Sequence, residues 1–296
     1  MFGFFNYSKP GPGVPKRDPN QSRMSIYFEL LRRKWWNLVK LNLLYFVSAI
    51  PFFIVTMFVM GIVSSRITDA VSPVFYDISE SEAAAPYMLV WFDLIIRFVL
   101  AILFTVFFGL GPVTAGYTYI LRNYSREEHV YPVADFFEHA KSNFLQSFGL
   151  WIIDLVVFFL VTTAITFYSS LGGALSLMNA FMFLFLLIYL MMHLYIYQVM
   201  ITFKLSLRAI LKNSFIFAMS NAPKNMLLLL ILAVVHIAVP YIITVVFMSV
   251  AGLAVFYLLE AVILAALFGF TTNYFVYPAI EKCIKEAESQ EAADKE

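Results

Sequence analysis

From Tyr87 to Leu121 the chain runs for 35 residues through mostly apolar sequence, interrupted near its end by "GLGPVTAG" at 109 to 116. At about 1.5 Å of rise per residue, that is far more helix than a hydrocarbon layer of roughly 30 Å requires. Lipid suits such a run, because a helix satisfies its own backbone polar groups where water is missing. Composition agrees: 61% of residues are apolar and 13% charged, with a mean hydropathy of +0.81, where a soluble domain carries about 25% charge. A soluble core could not hide 32 Phe and 17 Tyr in 296 residues. The expected class is all-α, a polytopic bundle in contact with the lipid bilayer.

Six segments are long enough to cross: 39–63, 87–110, 148–168, 177–203, 225–250 and 252–277. The organisation read from them is a cytoplasmic N-terminal segment with an interfacial helix (1–38), a transmembrane domain (39–277) and an acidic cytoplasmic tail (278–296). No apolar stretch ahead of a small-residue cleavage site marks a removable signal, so the first span is expected to remain as an anchor. Of the 20 basic residues, eighteen fall in the N-terminus and the alternate connections that share its side, counting Lys40 at the very start of the first span with the N-terminus, and one in the opposite set. This asymmetry places both termini in the cytoplasm. "KWW" at 34–36 reads as an interfacial anchor, and the loop 64–86, with Asp69, Asp77, Glu80 and Glu82, faces outside. The net charge of +1 gives no ground for a nucleic-acid partner.

Two proline-centred stretches resemble each other, "SAIPFFIVT" around Pro51 and "IAVPYIITV" around Pro240. Each follows a lysine at nearly the same interval, Lys34 and Lys224, and "TAGY" at 114–117 can be laid over "TTNY" at 271–274. Three parallel hairpin repeats are the arrangement these matches suggest, a pattern some transporters use. Proline within a span removes a backbone donor and bends the helix.

Charges inside the spans are costly, about 2.5 to 3.5 kcal/mol each on insertion scales, and so are expected to face the bundle. Asp93 and Arg97, four apart, share one helix face; Glu260 and His236 fall at comparable depths in spans six and five. Asp93, Arg97, His236 and Glu260 are therefore expected to form one intramembrane polar cluster, either a clasp between helices or a site for a proton or polar ligand. Asp154 and His193 lie toward the cytoplasmic half, where Asp154 can meet interfacial water or Lys40.

The segment after span two is the most polar in the interior of the chain. Pro132 suits a helix start, and Phe136, Phe137, Ala140, Phe144, Leu145 and Phe148 recur at helical spacing. This reads as an amphipathic helix on the cytoplasmic membrane face. Arg122, Glu127, Glu128, His129, Asp135, Glu138 and His139 are its candidates for docking a partner. Asp135 and His139 share a face, yet no HExxH accompanies them and no metal is expected. Neither GxxxxGKS nor GxSxG occurs, and Cys283 is the single cysteine, so neither an enzyme nor a cofactor is expected.

Gly109, Gly111, Pro112 and Gly116 read as a break in an overlong helix, since glycine costs about 1 kcal/mol relative to alanine and proline lacks a donor. Gly111 and Ala115 also allow close helix approach. The chain is expected to change direction after Pro112.

The stretches "FGFFNYSKPGPGVPKRDP", "YFELLRRKWWNLVKLNLLYFVSAIP" and "GPVTAGYTYILRNYSREEHVYPVADFFEHAKSNF" resemble the YesL family of small bacterial integral membrane proteins. That family carries no established activity and no catalytic residues. The resemblance implies a bacterial cytoplasmic membrane and an accessory role in carbohydrate uptake beside a sugar ABC transporter. The alternative from the residues themselves is a small secondary transporter or channel built on the polar cluster.

Overall fold

The computed structural model describes residues 20–78, 110–245 and 250–293. Among these residues all regular structure is helical. The chain divides into two units, Met1–Trp35 and Trp36–Glu296. In the first, the Ser22 hydroxyl accepts from the Ser25 amide at 3.2 Å, opening α1 (Arg23–Ile78) with a side-chain cap. Gln21 donates to Glu29 at 3.0 Å.

Residues 39–63 are helical within α1, as a first span requires, but helix also continues through the segment read as a loop from 64, as far as Ile78. In the second unit follow α2 (Pro112–Arg126), α3 (Pro132–Ser142), α4 (Phe144–Leu171), α5 (Met178–Thr202) and α6 (Leu207–Ser220). The chain then passes through α7 (Ala222–Ala233), a π-turn (Val234–Ala238), α8 (Val239–Val245), α9 (Val250–Leu259), a second π-turn (Glu260–Leu264) and α10 (Ala265–Ala293).

Four stretches are long and apolar enough to cross a membrane: Phe144–Leu171, Gly173–Thr202, Ala222–Ile243 and Ala251–Gln290. They coincide with the last four segments read from sequence. The second segment, 87–110, lies outside the described residues except for Leu110, so the repeat comparison that needs it does too. Large apolar side chains such as Phe181, Leu230 and Ile237 stand exposed on these stretches. Lipid is what such a surface faces.

α6 was not foreseen, although Ile210, Ser214 and Ala218 recur at four-residue spacing and are buried. Ser206 caps it by accepting from the Ala209 amide at 3.4 Å. The amphipathic segment is corrected in another way. Its helix does begin at Pro132, but the chain turns at Asn143, dividing the proposed stripe between α3 and α4. Only Phe136 of that stripe is buried; Phe137, Phe144, Leu145 and Phe148 are exposed.

α2 is the hub. It packs on α3, α4, α5 and α10, and Ala115, Ile120 and Leu121 along it are almost wholly buried. Gly116 makes the contact with α3 possible: a Cβ there would stand 2.2 Å from the Phe136 carbonyl oxygen. The tightest approach falls on Gly116, while Gly111 lies against α4, where an added Cβ would stand 3.4 Å from the Ser147 carbonyl oxygen.

Candidate intramembrane polar site

Within the glycine-proline stretch a helix starts at Pro112. Leu110 and Gly111 are not helical, and Gly111 adopts φ +56, a left-handed backbone open mainly to glycine. Pro112 takes the first helical position, where its missing N–H costs nothing. The Thr114 hydroxyl accepts from the Leu110 amide at 2.7 Å, tying the incoming chain to the new helix. Gly109 lies outside the described residues, as does the direction of the segment before it.

That helix start carries a buried polar network. Tyr45 and Thr114 hydroxyls lie 3.3 Å apart, and the Tyr45 and Tyr117 rings are 4.3 Å apart. Tyr117 donates its hydroxyl to Asn42 Oδ1 at 2.7 Å. Asn42, fully buried, donates its amide to the carbonyls of Glu260 and Ala261, both at 2.9 Å.

Those two carbonyls belong to the second π-turn, and the pairing follows from its geometry. In a regular helix the Ala265 amide would turn to Ala261, four residues back; here it reaches Glu260, five residues back. Asn42 supplies Ala261 with the donor that the wider turn moved away. The first π-turn has a related origin, since Pro240 offers no N–H to the His236 carbonyl four residues before it.

His236 and Glu260 each sit in one of these π-turns, and their side chains meet with His236 Nδ1 3.1 Å from Glu260 Oε2. Each side chain is 11% exposed, and His236 also packs edge-on against Phe268 with centroids 5.1 Å apart. Two of the four residues expected to cluster are thus brought together. The other two, Asp93 and Arg97, lie outside the described residues. Asn42, Tyr45, Thr114 and Tyr117 were not singled out for this site; the visible signal was the polar character of Asn42 and Thr114 beside apolar spans.

A second acid and histidine pair lies in α4 and α5. Asp154 is 1% exposed and accepts from the Tyr189 hydroxyl at 2.5 Å, while His193 Nε2 stands 3.1 and 3.2 Å from its two oxygens. This corrects the reading that Asp154 meets interfacial water or Lys40, which is exposed. Tyr189 and His193 are four apart on α5, so one helix face presents both to a single carboxylate.

The docking candidates scatter. Arg122 is buried at 8% exposure, Glu127 closes α2 in a left-handed cap, and Glu128 pairs with Arg126 at 2.8 Å. His129 packs edge-on against Tyr131, and Asp135 accepts from the Tyr131 amide at 2.9 Å. His139 stacks on Tyr119 with centroids 3.5 Å apart, and Glu138 remains exposed. Burial lowers the His139 pKa, with Glu138 pulling the other way and Arg122 adding to the fall. Burial also raises the Tyr124 phenol to about 12.

Residues 88–165 match the family model described as a protein of unknown function, DUF624. The matched stretch holds the helix start at Gly111 and Pro112, α2, α3 and Asp154; Asn42, His193, His236 and Glu260 lie beyond it. No curated protein and no solved structure matches the chain.

Proposed function

We propose that the chain is a non-enzymatic, multi-pass membrane protein in which Glu260 and His236 form a site for a proton or a small polar solute. In this reading it works as a small secondary transporter or channel, with both termini in a bacterial cytoplasm. The meeting of an acid and a base at 3.1 Å, each on a π-turn, carries it. π-turns interrupt helices rarely and often at functional sites. A carboxylate beside an imidazole can hold or release a proton at moderate cost, since each state keeps a partner. Asn42 holds the Glu260 backbone, so the side chain can change partner while the helix stays in place.

The test is transport in liposomes containing the full chain and a trapped pH-sensitive dye, challenged with hexoses, disaccharides and amino acids. Wild-type protein is expected to move protons when one class is added, and Glu260→Gln to lose that response. Silence of wild-type protein toward all three classes would sink this reading.

The second reading, an accessory component of carbohydrate uptake that contacts a sugar ABC transporter, draws on the YesL resemblance. The exposed Tyr131, Val133 and Phe137 around α3 give it a surface to use. Affinity purification of the chain from its host, under mild detergent, is expected to retain transporter subunits; their absence counts against it.

A further inference from the structure

Arg122 stands outside both acid and histidine pairs and is over nine-tenths buried. Its Nε donates to Asn123 Oδ1 at 3.3 Å and Nη1 to Thr202 Oγ1 at 3.0 Å. The guanidinium lies over the rings of Tyr119 and Tyr277, 5.0 and 5.7 Å from their centroids. Among the described residues no carboxylate comes within ion-pair distance of it, and Nη2 makes no hydrogen bond.

A second cation shares the Tyr277 ring with it. Arg126 lies over the same Tyr277 ring at 4.8 Å and donates to the Tyr277 hydroxyl at 3.0 Å. Glu128 pairs with Arg126 at 2.8 Å and reaches Arg122 only as a longer-range charge. A buried guanidinium ordinarily has a carboxylate or phosphate in its fork, because its desolvation is expensive otherwise. Proximity to the C-terminal ends of α2 and α5 offsets part of that cost, through the negative end of each helix dipole. It does not give Nη2 an acceptor.

We propose that Arg122 and Arg126, framed by Tyr119 and Tyr277, form a binding site for a phosphate group, with Arg122 Nη2 as its central donor. Two tyrosine rings hold the guanidinium plane, and Asn123 and Thr202 fix its rotation, so the open edge is preorganised. An anionic phospholipid headgroup presents this chemistry at a membrane surface, and a free phosphate ion presents it in the cytoplasm. Arginine suits either source, because its fork matches phosphate oxygens.

The experiment uses the full chain in nanodiscs of phosphatidylcholine with or without phosphatidylglycerol, and separately with added inorganic phosphate. Wild-type protein is expected to retain phosphatidylglycerol through delipidation at least tenfold over phosphatidylcholine, and to unfold at higher temperature in its presence. Arg122→Gln should lose both preferences, and Arg126→Gln should weaken them. If inorganic phosphate alone raises the unfolding temperature as much, and Arg122→Gln removes that rise, the site takes the free ion. Should Arg122→Gln not fold, the wild-type comparison and Arg126→Gln decide. Equal retention of both lipids with no effect of phosphate on wild-type protein overturns the proposal, as does a folded Arg122→Gln that keeps the preference.

Discussion

The two acid and histidine pairs have the same chemistry and different settings. Asp154 and His193 meet between regular helices, and the carboxylate also takes the Tyr189 hydroxyl. Glu260 and His236 meet at 3.1 Å between two π-turns, while Asn42 secures the backbone beneath. Among the described residues the first carboxylate holds two side-chain partners from one helix face. Among the described residues the second carboxylate has one side-chain partner, on a scaffold held independently of it. The difference separates a clasp from a site.

The contrast fails first at Asp154. Asp154→Ala removes a buried carboxylate from two donors and is expected to cost about 3 to 5 kcal/mol, read as a fall in the unfolding midpoint in detergent. A loss under about 1 kcal/mol would show that this pair does not hold α4 to α5. Asn42→Ala is next. It strips partners from the Ala261 carbonyl and the Tyr117 hydroxyl, at about 1 to 3 kcal/mol for each group left unsatisfied.

Gly116→Ala probes the common scaffold without touching either pair. The added methyl meets the Phe136 carbonyl, and overpacking of this kind costs about 1 to 3 kcal/mol. Solute-linked proton movement should survive in the folded fraction. Glu260→Gln should cost least, under about 1 kcal/mol, since glutamine keeps an acceptor for His236 and Asn42 bonds only the backbone. A cost equal to that of Asp154→Ala would make both pairs clasps.

The smallest effect is a pH baseline outside the spans. Burial lowers the His139 pKa below its ordinary 6.5, so the unfolded chain takes up the proton first. Its contribution to stability is therefore complete above about pH 6.5 and is lost as pH falls from there toward the folded value. His139→Phe should flatten that slope in unfolding curves; an unchanged slope would assign it to other groups.

The helical membrane class and the last four spans were legible because 18 or more apolar residues can do little else in a chain. The start of α3 at Pro132 was legible for an equally local reason. The His236 and Glu260 meeting was reachable by counting depth. Asn42 was not, because its role depends on a π-turn over 200 residues away, and nothing in "LLEAVIL" announces the extra residue per turn. Asp154 was misplaced because depth counting gives distance along one helix, whereas Tyr189 and His193 reach it from another. "GLGPVTAG" advertised a break but not its use: Gly111 sets a left-handed entry and Gly116 admits a neighbouring backbone.

Asn42 has one further implication. A single amide holds two carbonyls of the last helical stretch and the hydroxyl of Tyr117 on α2, so three segments share one detent. Turning α1 by one residue swings that side chain through about 100°, and all three bonds leave together. The three segments are thereby fastened to one another through one side chain.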